Sequence, residues 1–343
     1  MTEIIAWLRE SDPARLGLLW RRADDTRRAR VGDEVHLRGL LEISNHCARE
    51  CGYCGIRASN RGLPRYRMTA DEIVAGARRI AGYGYGSVVM QAGEDPGLRR
   101  EWVAGVIRRV RAETPLAVTL SLGERPDADY AAWRQAGADR YLLRFETSDP
   151  ALFARIHPPL GTRPFDRVDA LRRMRAMGYE IGSGIMVGLP GQTYESLAED
   201  LELFRALDLD MIGLGPYLPH PDTPLGGGSL PVAPPGTQVP NDELMTCKCL
   251  ALARLLCPAA NIPSTTALSA LGAASRTHGL SRGANVVMPN VTPERYRRLY
   301  EIYPAKATVD ESADAFHARV GEILRALGRI PARGPGGRQQ RGA

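Results

Sequence analysis

Long apolar runs are missing from this 343-residue chain. The longest stretch without a charge, Leu255 to Ser275, is broken by Pro258 and Pro263 and carries Asn, Ser and Thr, unlike the ~20 apolar residues a helix needs to cross a bilayer. A helical membrane span is excluded. The first residues include Glu3 and no apolar segment of the kind a secretory leader carries. Cysteine is scarce. Six residues, three of them crowded between 47 and 54, do not make a disulfide framework, so a reducing cytoplasm is the expected setting. A basic stripe is missing too: of the net charge of +6, four charges are Arg329, Arg333, Arg338 and Arg341, in a final stretch without acids. The remaining body is close to neutral, which argues against nucleic acid as a partner. The six histidines (36, 46, 157, 220, 278 and 317) form no His-x-His or His-x-x-x-His pair, so each is read as packing or surface.

What is present is alternation. Apolar, β-rich runs recur at Val35 to Ile43, Ser87 to Gln91, Ala117 to Leu122, Arg140 to Glu146, Ile181 to Leu189, Met211 to Leu218, Asn261 to Ala267 and Ala284 to Pro289. Between them lie helical stretches with start signals, such as Thr69-Ala-Asp-Glu72, a capping box ahead of Ile73, Val74 and Ala77. Strand then helix, repeated eight times, predicts an α/β fold: a single complete (β/α)8 TIM-type barrel. The expected parts are an N-terminal helical extension (1–34), the barrel (35–304), a closing C-terminal helix (305–328) and a disordered basic tail (329–343). A Gly/Pro loop, 226–240, follows the sixth strand and reads either as a mobile lid at the barrel mouth or as a surface insertion.

The chemistry is concentrated in Cys47-Ala-Arg-Glu-Cys51-Gly-Tyr-Cys54, directly after the first strand. Three thiolates within eight residues can ligate three irons of a cubane and leave the fourth open to substrate. The competing reading is a zinc site completed by His46 or a distant residue. Cys247 and Cys249, two apart on a predicted helix, diverge and cannot share a metal without other ligands; with Cys257 they are read as structural.

C-x3-C-x2-C with Tyr53 before the last Cys resembles the signature of the radical S-adenosylmethionine (SAM) superfamily. The segments Tyr66-Arg-Met, Gly93-Glu-Asp-Pro96, Thr119-Leu-Ser-Leu-Gly-Glu124, Asp139-Arg-Tyr-Leu-Leu-Arg-Phe-Glu-Thr147, Gly188-Leu-Pro-Gly-Gln-Thr193, Pro219-His-Pro-Asp-Thr-Pro-Leu225, Ile262-Pro-Ser-Thr-Thr266 and Gly283-Ala-Asn-Val-Val-Met-Pro-Asn290 are, in that order, similar to the HydE-type maturases of FeFe hydrogenase. Methylornithine synthase is the next nearest resemblance. The resemblance implies one 4Fe-4S cluster on Cys47, Cys51 and Cys54, and SAM cleaved by one electron to methionine and a 5'-deoxyadenosyl radical. It also implies an electron donor such as flavodoxin or ferredoxin, an organometallic substrate from a second radical SAM maturase, and product passed to a GTPase scaffold. An auxiliary cluster is not expected, since no Cys follows 257.

Further site residues combine resemblance with residue chemistry. Gly93 and Glu94 end the second strand, where the superfamily offers backbone carbonyls to the SAM amino group; Ser121 and Tyr53 join the cofactor set by resemblance. Arg144 and Glu146 are two apart on the fourth strand and share a face. Glu146 would accept from SAM while Arg144 meets an anionic substrate group, or the two form an internal ion pair. Arg167 is expected to pair with the SAM carboxylate. Met186 lies between Gly184 and Gly188, which would leave room for a flat adenine. Thr265, Thr266 and Met288 end the last two strands and are candidates for the substrate cavity. Tyr300 is the expected aromatic cap on the adenosyl group, with Tyr303 competing. The alternatives are a mutase-like or other radical SAM enzyme acting on an amino acid or thiol, and a zinc or Fe-S scaffold without turnover.

Overall fold

The computed structural model describes residues 1–161, 165–228, 231–304 and 311–338. Seven strands, β1 (Glu34–Ser44), β2 (Ser87–Ala92), β3 (Ala117–Ser121), β4 (Arg140–Leu142), β5 (Glu180–Val187), β6 (Met211–Pro216) and β7 (Val286–Val287), curl in the parallel order β6-β5-β4-β3-β2-β1-β7. They are buried along nearly their whole length, as strands with a filled interior and an outer coat of helices must be. The crossover helices include Ala70–Gly82, Arg100–Glu113, Asp127–Gln135, Arg167–Ala176, Tyr194–Ala206 and Glu243–Leu256. The expected capping box forms: Thr69 N–H donates to the Glu72 carboxylate at 2.7 Å while Glu72 N–H donates back to Thr69 Oγ1. Helices Thr2–Arg9 and Pro13–Val31 pack outside the barrel against Glu243–Leu256, whose Cys247 and Cys249 are fully buried.

The barrel is of the expected type, but its eight positions are unequal. The seventh run, Asn261 to Ala267, is not a strand; it joins the ring through single bridges, Met211 to Asn261 and Pro263 to Val286. Pro263 has no N–H for a ladder, and Thr265 caps a short helix, Thr266–Ser269. The eighth run, Ala284 to Pro289, contracts to β7 plus a bridge from Leu40 to Asn290. The fourth, expected to reach Glu146, is a strand only over Arg140–Leu142; beyond it a single bridge joins Glu146 to Ile185, and Glu146 takes a left-handed φ of 62°.

The expectation of a disordered tail from Arg329 is overturned as far as Arg338. Ile330–Pro331 form β8 beside the start of β1. Beyond it, the Pro335 carbonyl accepts from Ser87 Oγ at 2.8 Å and Arg140 Nη2 at 2.9 Å. The Gly336 carbonyl accepts from Arg38 Nη2 at 2.9 Å and Asn261 Nδ2 at 3.2 Å. Arg38, Arg140 and Ser87 are buried donors at the strands' N-terminal ends, and buried donors must find acceptors. The Gly/Pro tail supplies these backbone carbonyls by running close against the barrel: a Cβ on Gly86 would lie 1.6 Å from the Gly334 oxygen, and one on Gly336 would lie 2.4 Å from His36 Nδ1. Residues 305–310 and 339–343 lie outside the described residues; the closing helix itself is Ala313–Ala326.

Candidate active site

The Cys47–Cys54 loop leaves β1 at the C-terminal mouth and is pinned on several sides. Ala48 N–H donates to the Glu94 carbonyl (2.9 Å), Gly52 N–H to the Ile156 carbonyl (2.8 Å) and Gly55 N–H to the Ile302 carbonyl (3.2 Å). Gly93 makes the approach possible. A Cβ there would lie 2.3 Å from the His46 carbonyl and 2.8 Å from Cys47 Cβ. All three cysteines are free thiols. Burial pushes the thiols of Cys47 and Cys54 up and that of Cys51 up to about 12. Without a metal they are protonated and weak nucleophiles; loading a cluster must displace their protons. Three thiols on one pinned loop, with the other cysteines in or beyond a separate core helix, fit a cluster with one open iron.

Beside the loop lies a buried network of charge. Arg49, between two of the cysteines, pairs with Glu94 at 2.5 Å and with Glu124. Arg167 reaches Glu124 at 2.7 Å, Glu94 at 3.4 Å and the Arg144 carbonyl at 2.6 Å. Glu94 reaches inward over Gly123, whose φ is +75° and whose Cβ would sit 2.0 Å from Glu94 Cγ. His157 completes the network, 3.0 Å from Cys51 Sγ and 3.2 Å from Glu124. Burial, with Arg167 and Arg49 nearby, holds the imidazole neutral, down to about 3. His157, read as packing or surface, is buried and touches a cysteine of the motif. Arg49 and Glu124 also went unassigned in the sequence; the pairing of Arg49 with two strand-end carboxylates is a through-space event with no spacing signature.

Inside the barrel mouth is a cavity of about 330 Å³. Tyr53, Cys54, Ser121, Arg144, Glu146, Met186, Thr265, Thr266, Met288 and Tyr303 all line it. Arg144 and Glu146 form the ion pair that was one of the two readings, with Arg144 Nε 3.1 Å from both carboxylate oxygens. Both side chains still face the cavity, so pairing and ligand contact are compatible. Glu42 and Gln91, not singled out in the sequence, line it as well. Gly93, Glu94, Arg167, Cys47 and Cys51 stand behind this wall, in the loop and network described above. Tyr300 is buried behind the wall, its hydroxyl accepting from Gln91 Nε2 at 3.3 Å, whereas the competing Tyr303 lines the cavity. Met186 lines the cavity, while the glycines on either side of it pack against neighbouring backbone. A Cβ on Gly184 would meet the Gly213 carbonyl at 1.7 Å and one on Gly188 would meet Asn241 at 2.4 Å, so both glycines serve strand and loop packing.

The 226–240 loop is tied down where it is described. Gln238 accepts from Gly191 N–H at 2.9 Å and donates to the Leu189 carbonyl at 3.0 Å, and it bridges Thr193.

A parallel barrel with three cysteines on its first loop, above a cavity ringed by a carboxylate, a guanidinium and hydroxyls, defines the radical SAM class of enzyme. The sequence profile of the Radical SAM superfamily matches residues 41–204. The chain is 44% identical over 94% of its length, and 89% of the relative's, to the [FeFe] hydrogenase maturase subunit HydE of Thermotoga maritima. Its backbone is similar to a crystal structure of methylornithine synthase, with a TM-score of 0.83 at 26% identity over 97% of this chain and 94% of that one. It also shares the fold of the maturase HydG from Carboxydothermus hydrogenoformans (TM-score 0.78, 18% identity, 96% and 75% covered). The chain belongs to the HydE family of radical SAM enzymes. A 4Fe-4S cluster and SAM are the cofactors of that family. Among the described residues no helix is long and apolar enough to cross a membrane.

Proposed function

We propose that this protein is a cytoplasmic maturase in the assembly of the diiron subcluster of FeFe hydrogenase. Identity of 44% across nearly the whole chain to the Thermotoga maritima maturase carries the reading. When bound, the cluster and SAM supply a 5'-deoxyadenosyl radical; the protein supplies orientation and exclusion of water. Cys47, Cys51 and Cys54 hold the cluster. Glu146 and Met186 contact SAM from two adjacent strand ends, Tyr53 and Tyr303 close over it, and Arg167 meets its carboxylate by exchanging one of its present acidic partners. Arg144, Thr265, Thr266 and Met288 face a small organometallic or amino-acid-derived substrate deeper in the cavity. Arg144 favours an anionic group there, since guanidinium pairs strongly with anions in a dry site. The partners in this reading are a flavodoxin- or ferredoxin-type electron donor, a second radical SAM maturase that supplies the substrate, and a GTPase scaffold that takes the product.

A second reading, a mutase acting on an amino acid, draws on the backbone match to methylornithine synthase. One experiment separates them. Purified protein added to apo-hydrogenase with the other maturases, SAM and reductant is expected to restore hydrogen evolution. Failure there, with amino-acid rearrangement in its place, would favour the second reading.

A further inference from the structure

Asp200 sits on helix Tyr194–Ala206, fully buried and outside the cavity wall. One carboxylate oxygen accepts from the Ser148 N–H, from Ser148 Oγ at 2.7 Å and from Thr147 Oγ1 at 3.3 Å; the other accepts from Gln192 Nε2 at 3.1 Å. Each donor leads back to the wall. Thr147 and Ser148 directly follow Glu146, whose left-handed φ of 62° is uncommon for a residue with a side chain and persists only where the surroundings hold it. Gln192 also donates to the Met186 carbonyl at 3.1 Å and accepts from the N–H groups of Gly188 (2.7 Å) and Leu189 (3.3 Å). Glu146 and Met186 are themselves joined, Met186 N–H donating to the Glu146 carbonyl at 3.2 Å.

We propose that Asp200 is a positioning residue: it clamps Glu146, in the segment just beyond β4, and Met186, near the end of β5, in the geometry that receives SAM. The inference rests on the reading that these two residues contact SAM. The Ser148 N–H and Gln192 Nε2 are obligate donors facing opposite oxygens, so the site asks for an acceptor on both sides, which an ionised carboxylate offers and an amide does not. In Asp200→Asn an NH2 would face either Gln192 Nε2 or the Ser148 and Thr147 donors. Gln192 cannot turn its amide to help, because its Oε1 already serves two backbone N–H groups. Burial raises the Asp200 carboxyl to about 7, and the four donors act against that rise.

The test uses reconstituted wild type, Asp200→Asn, Ser148→Ala and Glu146→Gln, with SAM affinity measured by equilibrium dialysis and iron content and thermal midpoint measured without SAM. Groups that orient ligand-contacting residues affect affinity by about tenfold or more when changed. Asp200→Asn is expected to bind SAM about tenfold more weakly while keeping its iron, and Ser148→Ala, which loses one of the four donors, to be weaker by about threefold. Asp200→Asn affinity equal to wild type while Glu146→Gln is impaired would overturn the clamp. Loss of iron in step with loss of affinity would also overturn it, marking Asp200 as scaffold only. If Asp200→Asn does not fold, Ser148→Ala decides, and unchanged affinity there rejects the proposal. Unchanged affinity in Glu146→Gln would reject the reading of the cavity, and the clamp with it.

Discussion

At the scale of the residue, the site is built from charges that already have partners. Arg144 and Glu146 are paired, Arg49 and Arg167 each hold two carboxylates, and His157 is kept neutral between them. A ligand at Arg167 therefore exchanges partners, while one at Arg144 and Glu146 adds to a pair that already faces the cavity. Such exchanges in a low-dielectric site favour ligands of matching charge. Glu146→Gln should weaken SAM binding by about tenfold, ~1.4 kcal/mol, while Arg144→Ala should retain uncoupled SAM cleavage and lose turnover of substrate. Equal losses of stability in both, with SAM affinity untouched, would reduce the pair to an internal ion pair. Gly93→Val should fail differently: its side chain would collide with the His46 carbonyl, so iron content should fall while far-ultraviolet circular dichroism stays that of the folded barrel. The cysteines were legible in sequence because all three fall within eight residues of one another. Glu124, Arg49 and His157 were not, because they meet only when three separate loops converge on one point. Tyr300 and Tyr303 are three apart on a segment of irregular backbone, where no periodicity tells which faces inward.

At the scale of the element, regular strands were legible where apolar, β-rich runs could fill a ladder, as in β1, β2 and β5. They were not legible where proline, a cap or a left-handed residue interrupts the backbone, as at Pro263, Thr265 and Glu146. The tail was misread for a related reason. Its composition is that of a solvated end, yet its value to the fold lies in its carbonyls, which satisfy buried Arg38, Arg140 and Ser87. Stopping the chain after Arg329 should strand those donors and cost about 3 kcal/mol or more, given ~1–3 kcal/mol for each buried donor left unpaired; a higher or equal urea midpoint in the shortened protein would contradict this. His36 lies under the same tail, its Nδ1 buried without a hydrogen-bond partner among the described residues. Burial, then Arg38 and Arg140, holds its pKa down to about 4. Its folded value is below its unfolded value of 6.5, so the unfolded chain binds the extra proton between them. That contribution to stability is present above pH 6.5 and is lost as pH falls toward 4. Melting midpoints should decline over that window in the wild type and decline less in His36→Gln.

At the scale of the whole molecule, the barrel separates two tasks. Its C-terminal mouth carries the cysteine loop and the paired charges, and its N-terminal end is covered by Pro335 and Gly336. Under the proposed function this cavity, lined by strand ends, would hold SAM away from stray hydrogen donors, which radical chemistry needs. Chain-wide charge said little about this, because part of the net positive charge sits in Arg329 and Arg338, which the fold uses internally. That three cysteines and one cavity make a radical SAM centre is tested most directly by anaerobic reconstitution followed by reduction with dithionite in the presence of SAM. The wild type should hold about four irons per chain, the content of one cubane, and release methionine and 5'-deoxyadenosine. Cys51→Ala should do neither, while Cys247, Cys249 and Cys257 changed together to Ala should still do both. A colourless zinc protein that leaves SAM intact, or a cluster that survives loss of Cys47, Cys51 and Cys54, would contradict the account.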